Sequence, residues 1–346
     1  MPSERALAHI SRPARLPVWP IASGVFCWAA ETVGLRSLAG SVENRFGGRV
    51  TPMSLPIEAS DPFLMLVHHR HTFSRWDPVR PFSALVMPEG FPAHPHRGFE
   101  TVTFVLEGGM RHRDSTGVKM EYRSGSVQWL TAGRGVLHEE MWATNEGTHE
   151  LYQIWVNLPK AHKWDAPQIQ LLGPAEVTSE SDILHAPLPV AAFAGVSLTV
   201  LAGACRGVCS PIRTRSPMTL VRLQWDDAGD FLWDDLPAHH TALCFVRRGS
   251  VTVGERTMAA GELGHFERSS ATRLKLCATT GTDVLLLTGA PLREPVAMGG
   301  SMVMNTPSEV DQANRDFQLG KFGNPWPHTA TDEEWRAAIA DRKLLY

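Results

Sequence analysis

The sequence predicts an all-β protein: two antiparallel β-barrels or sandwiches in tandem, followed by a short helical C-terminus. Short apolar runs, rich in β-branched and aromatic residues and closed by Gly, Pro or Asp, recur along the chain. They fall into two blocks separated by a loop region near residues 159–174. The chain has 346 residues, 43% of them hydrophobic, which suits two domains with cores of their own and no disulfide staple.

Residues 1–45 show no clear period and read as an N-terminal extension, expected to be poorly ordered. Strand-like runs follow at 63–67, 82–87, 101–106, 126–130 and 151–156, and Gly108-Gly109 marks a hairpin turn. These runs define a first domain at 46–165. The second domain, 166–296, holds runs at 196–201, 219–223, 241–246, 250–253 and 283–287. Residues 297–346 form the helical segment, expected to pack on the barrels. There Thr306-Pro307-Ser308-Glu309 is a capping-box pattern with Pro at the first helical position. It opens a helix that reaches Gln318, with Gly320 as its stop. Thr331 and Glu334 open a second helix in the same way, running towards Lys343.

The net charge of −3 and pI near 6.6 offer no basic field for a polyanion, so direct nucleic-acid binding is not expected. No stretch is long and apolar enough to span a bilayer, and no membrane partner is expected. The five cysteines are odd in number and irregular in spacing, which favours free thiols in a reducing compartment. Arg12 and Arg15 precede an apolar stretch at 16–30 that loosely resembles an export signal, but Pro17 and Pro20 interrupt it. A cytoplasmic location is expected, with export as the lesser alternative.

The chemistry-bearing residues sit in two short segments. On an extended chain, side chains at i and i+2 share a face, so His94 and His96 aim together. His138 and Glu140 repeat that spacing, and a strand paired with the first would set them opposite the histidine pair. Three imidazoles and a carboxylate suit a divalent first-row transition metal with positions left for water or substrate. Glu139 has the wrong parity to join His138, whereas Glu100 shares the parity of His96 on a regular strand and is a second candidate carboxylate.

Residues 94–108, beginning His94-Pro95-His96-Arg97-Gly98-Phe99-Glu100, resemble the pirin family of the cupin superfamily. So do 128–140, from Gln128-Trp129 through Ala132-Gly133-Arg134-Gly135 to His138 and Glu140, and 153–159. The likeness is dense from about residue 61 to 159 and resumes at 291–296 and 303–323. It implies a bicupin, two antiparallel jelly-roll barrels with metal only in the N-terminal one. The family's ligands map onto His94, His96, His138 and Glu140, and Glu100 falls where other cupins, but not ordinarily pirins, place a ligand. In the second barrel His239 and His240 are adjacent and cannot share a face, which agrees with a barrel without metal. This chain departs from the family pattern at Gly125-Ser126-Val127, at Pro167-Gln168-Ile169-Gln170 and at His68-His69-Arg70-His71; the last bears on the pocket mouth and so on the substrate.

The resemblance implies one divalent metal, Fe(II) foremost, with Mn, Ni, Cu, Co and Zn also suited to the donors. It implies either of two functions. One is an enzyme of the quercetin 2,3-dioxygenase type, opening a flavonol or related enolic or catecholic aromatic with O2. Glu140 would serve there as base, and Phe91, Phe99, Phe104, Trp129 and Trp155 are available to stack on a planar substrate. The other is an iron-dependent regulatory protein that binds a transcription factor or metabolic enzyme, with Arg134 and its loop as reporter. Around the ligands, Glu100, Glu139 and Gln128 are candidates to hold imidazole N–H groups, and Phe99, Trp129 and Arg134 are pocket candidates. His112 and His149 are set aside because the donor set is complete without them. The chain is expected to act as a monomer.

Overall fold

The computed structural model describes residues 3–18, 21–43, 45, 47–77, 80, 88–178 and 183–340. The strand expected at 82–87 and the end of the last helix beyond Ala340 lie outside the described residues. The described chain is mostly β and divides into two compact units, neither continuous in sequence. One comprises residues 14–52, 66–185 and 294–346, and the other comprises 1–13, 53–65 and 186–293.

The unit that carries His94, His96, His138 and Glu140 is built from two antiparallel sheets. The smaller has five strands in the order Ala175–Val177, Lys119–Arg123, Gly109–Asp114, Val136–Trp142 and Gly90–His96. The larger has eight, with Phe99–Glu107 at its centre between Val127–Thr131 and Gly147–Asn157. Alternation along each strand puts every second side chain between the sheets. Val105, Leu130, Leu151 and Leu171 from the larger sheet thereby meet Met110, Met120, Tyr122 and Val136 from the smaller in one buried cluster. The outer face of the smaller sheet is covered as well. Leu137, one residue out of phase with His138, packs with Met304, Val310, Ala313, Phe322 and Trp335 from the C-terminal segment.

The helix Pro307–Gln318 starts where its capping box predicts. Thr306 accepts the Glu309 N–H and Glu309 accepts the Thr306 N–H, satisfying donors that the first turn leaves open. Thr306→Ala is expected to cost about 1 kcal/mol, read as a lower urea midpoint with an unchanged slope. The second helix, Asp332–Ala340, opens on the reciprocal pair Thr331 and Glu334.

The other unit repeats the two-sheet plan with seven and four strands. Its core joins Leu198, Val221, Trp225, Cys244 and Leu286 of the larger sheet to Phe231, Trp233, Val251 and Leu276 of the smaller.

Within 1–45, expected as a poorly ordered extension, the described residues form short strands and two helices. Leu7–Ser11 pairs antiparallel with Leu263–Phe266 and adds Leu7 to that unit's core. Leu16–Val18 pairs with Gly47–Met53 at the edge of the eight-stranded sheet, and Ile21–Thr32 and Arg36–Glu43 form two packed helices between them. Strands of three to five residues are too short to show a period, and the first helix has no polar face to mark it.

Candidate metal centre

Two prolines shape the strand Gly90–His96. Opposite it, His138 pairs with His94 but Glu140 pairs with Phe91, so the strand carries one extra residue in the stretch that contains Pro92. Proline has no N–H to give to a ladder, and a bulge is where a sheet tolerates it. The bulge also brings the Pro92 carbonyl to His94 Nδ1, at 2.8 Å. That bond assigns the ring proton to Nδ1 and leaves the lone pair on Nε2.

The sheet register then brings three imidazoles together. His94 Nε2 lies 3.1 Å from His138 Nε2. The ring centroids stand 4.4 Å apart for His94 and His138, and 4.7 Å apart for His96 with each of them. The ligand atoms of the three rings lie within 4.8 Å of one another, close enough for one nitrogen of each to reach a shared ion about 2 Å away. Burial lowers the pKa of all three, most for His96 and His138, so the rings are neutral and their lone pairs available. The residues present therefore fit a first-row divalent ion.

Glu140 follows two residues after His138 on the same strand, and by proximity of ligand atoms it groups with His138 but not with His94 and His96. A second group of donors, His112, His138 and Glu140, also has its ligand atoms within 4.8 Å of one another, so His138 belongs to both groups. Glu140 Oε1 accepts hydrogen bonds from Tyr122 at 2.6 Å and Thr103 at 3.0 Å, one from each sheet. Burial, the Glu140 charge and the hydrogen bond to it hold the Tyr122 pKa far above the ordinary range, so the phenol stays a donor. His112 is fully buried, with Nε2 3.2 Å from Asp114 Oδ2. Asp114 Oδ1 is itself fixed by the N–H groups of Thr116 and Val118 and the Thr116 hydroxyl.

Sequence reasoning left out Tyr122, Thr103 and Asp114 and set His112 aside. The available signal was the alternation within 109–114 and 119–123, which puts His112 and Tyr122 on one face; nothing short of the register shows that this face meets Glu140. Glu100 behaves otherwise than its parity suggested. The chain turns at Gly98, which has φ +84°, so His96 and Glu100 lie on different strands and the parity is broken. Glu100 is buried and accepts from Thr131 Oγ1 at 2.5 Å, and it belongs to neither donor group. Gly98 itself has no substitute: a Cβ there would lie 1.9 Å from the Val303 carbonyl oxygen.

The other expected neighbours are distributed as follows. Phe99 and Trp155 meet at a tilt, with centroids 4.5 Å apart, and both rings stand edge-on to His96, at 5.0 and 5.6 Å. Trp129 and Gln128 are fully buried in the larger sheet, and Gln128 Nε2 faces Met120 Sδ at 3.8 Å. Phe104 is buried against Tyr152, and Phe91 lies edge-on to His69. Glu139 points away and pairs with Arg113. The Arg134 carbonyl accepts from Arg97 Nε at 2.6 Å. His149 sits between Trp142 and Phe73, and the Gly109 N–H points at its Nδ1. In the stretch 68–71, His68 pairs with Glu150 at 2.6 Å and His69 stacks on His71.

Residues 48–156 match the family model described as Pirin, and 221–323 match the Pirin C-terminal cupin domain. A pirin-like protein of Solanum lycopersicum is 34% identical over 302 residues, covering 84% of this chain and 92% of its own. The pirin of Mus musculus is 36% identical over 259 residues, covering 73% and 83%. Among solved structures, a quercetin 2,3-dioxygenase from Acinetobacter baumannii superposes with a TM-score of 0.71 at 28% identity, covering 92% of this chain and 99% of its own.

Proposed function

This chain belongs to the pirin family, and from that premise we propose that it is a metal-dependent dioxygenase acting on a flavonol or a related enolic or catecholic aromatic. The observation that carries this reading is the convergence of three neutral imidazoles beside a carboxylate anchored from both sheets. His94, His96 and His138 would hold a divalent transition metal, with Glu140 as fourth ligand. When bound, such an ion supplies Lewis-acid and redox chemistry towards an enolic oxygen and O2. The likeness to a quercetin 2,3-dioxygenase supports the substrate class.

The chain's own residues do the rest. Glu140 takes the proton of the incoming hydroxyl, and because Oε1 is engaged by Tyr122 and Thr103, Oε2 is the oxygen that would serve both the ion and that proton. The same two donors fix the carboxylate's plane, so its reach does not depend on a mobile rotamer. Phe99 and Trp155 offer aromatic faces beside His96, with Trp155 half-buried and able to meet a planar ring. Residues 99–105 and 127–131 supply a buried wall behind them.

Protein loaded with ferrous iron is expected to consume O2 when quercetin is added in air, and His94→Ala to abolish that uptake. A loaded protein that takes up no O2 with quercetin or simple catechols would remove the enzyme reading in favour of binding alone.

A further inference from the structure

Among the described residues, twelve large apolar side chains are well exposed, and seven of them fall between Leu16 and Leu38. They belong to the helices Ile21–Thr32 and Arg36–Glu43 and to the chain around them. Among the described residues, the apolar cluster between these helices consists of Cys27, Ala30 and Ala39, with Val42 packed against it. On the first helix, Val25, Phe26, Trp28, Ala29 and Thr32 face solvent opposite Cys27 and Ala30. No charge lies on that arc. The helix's single charged residue, Glu31, is turned to Arg15 and Arg49 at 3.1 and 2.7 Å. Val33, Leu35 and Leu38 extend the apolar surface across the turn, with Val33 72% exposed. A monomeric soluble protein rarely leaves so contiguous a patch uncovered.

The rim of the patch is basic. Residues 14–49 hold four arginines and two glutamates, in a chain whose net charge is −3. Glu31 and Glu43 are neutralised by Arg15, Arg49 and Arg70. Arg36 and Arg45 are exposed and have no carboxylate partner among the described residues. Exposed apolar area carrying Phe and Trp, together with guanidinium groups that have no carboxylate partner among the described residues, combines the two attractions that hold a segment on an anionic lipid interface. A second copy of this chain is the poorer occupant, because its own hairpin would bring more arginines and no free carboxylate to meet Arg36 and Arg45, Glu31 and Glu43 being already paired. The family match begins at residue 48, so the hairpin precedes the segment that the family model covers.

We propose that the helical hairpin 21–43 is an interfacial anchor that lays Val25, Phe26, Trp28 and Leu35 onto an anionic phospholipid surface, with Arg36 and Arg45 over the headgroups. No described helix is long and apolar enough to cross a membrane, so the attachment is peripheral. Anionic headgroups attract such arginines only within a Debye length, which makes the attachment sensitive to salt.

Co-sedimentation of the full-length protein with phospholipid vesicles tests this. Binding to phosphatidylcholine vesicles containing phosphatidylglycerol is expected to be at least tenfold tighter than to phosphatidylcholine alone, and to weaken steeply as salt is raised. Phe26→Asp and Trp28→Asp are each expected to weaken it at least tenfold. Arg36→Glu with Arg45→Glu should do the same for the anionic vesicles only. All four positions are exposed, so melting temperatures should stay close to the parent's. No sedimentation with either vesicle overturns the proposal, as does equal binding by the Asp variants. A stable dimer in solution that Phe26→Asp dissociates would likewise overturn it and assign the face to a second copy.

Discussion

His138→Ala is expected to abolish metal binding, taking the purified protein from about one transition-metal ion per chain to background in elemental analysis. His138 is the one residue common to both groups of converging donors, so its loss leaves neither intact. Even partners that only orient a ligand typically cost 10–100-fold in metal affinity, and a lost donor should exceed about 100-fold. Two companion variants locate the ion. His94→Ala breaks only the three-histidine group, and His112→Ala breaks only the group with Glu140. An ion held by His94, His96, His138 and Glu140 predicts near-complete loss in the first and retention in the second. The opposite pattern would move the centre onto His112 and Glu140, and would make the Asp114–His112 hydrogen bond the feature that fixes a ligand. His138 is fully buried, so circular dichroism and the melting transition of each variant must accompany the metal analysis. An alanine at 138 that folds and keeps its ion would sink the assignment.

The convergence of His94, His96 and His138 was legible in the sequence because strand alternation is a short-range rule. The i, i+2 spacing of His94 with His96 and of His138 with Glu140 is set by the pleat, and the pairing of those strands places His138 opposite His94. What was not legible depends on long-range register or on local irregularity. Tyr122 and Thr103 reach Glu140 from strands 18 and 37 residues away, through pairings that nothing local specifies. Glu100 was misplaced because a positive φ at Gly98 ends one strand and starts another within two residues. The helix 21–32 was missed for another reason. Sequence reading detects a helix by its contrast between faces, and an apolar arc turned to solvent has little. The helix 36–43 spans only eight residues, about two turns in which to show a period. At the C-terminus, by contrast, Thr306 and Glu309 mark a helix start through backbone chemistry that no tertiary contact alters.

Asp316→Asn is expected to destabilise the fold by about 3 kcal/mol or more, because it strips the counter-charge from a buried arginine. Arg97, only 1% exposed, directly follows the ligand His96; its NH1 donates to Asp316 Oδ2 at 2.7 Å. Lys321 and Gln312 hold Asp316 Oδ1 at 2.8 and 2.7 Å. Arg97 keeps other contacts in the variant, with the Arg134 carbonyl and the ring of Phe322, which is why the loss falls at the lower end of the range for a broken buried pair. Burial alone would raise the Asp316 pKa, but the hydrogen bonds from Lys321, Arg97 and Gln312 outweigh it and lower the value to about 2. The unfolded chain therefore binds this proton first as pH falls. Its contribution is whole above about pH 4, where the unfolded carboxyl is ionised, and is lost as pH drops through 2; the shift corresponds to about 2 kcal/mol. Urea unfolding between pH 2 and 6 should accordingly show Asp316→Asn converging on the parent at the acid end. A second comparison separates charge from shape. Replacing both partners, Arg97→Met with Asp316→Leu, should recover most of the loss, since a buried ion pair exchanged for apolar groups is often close to neutral. If the single variant unfolds within 0.5 kcal/mol of the parent, a threshold of about the size of ordinary surface effects, the pair does not hold the helix 307–318 to the strand that carries His94 and His96.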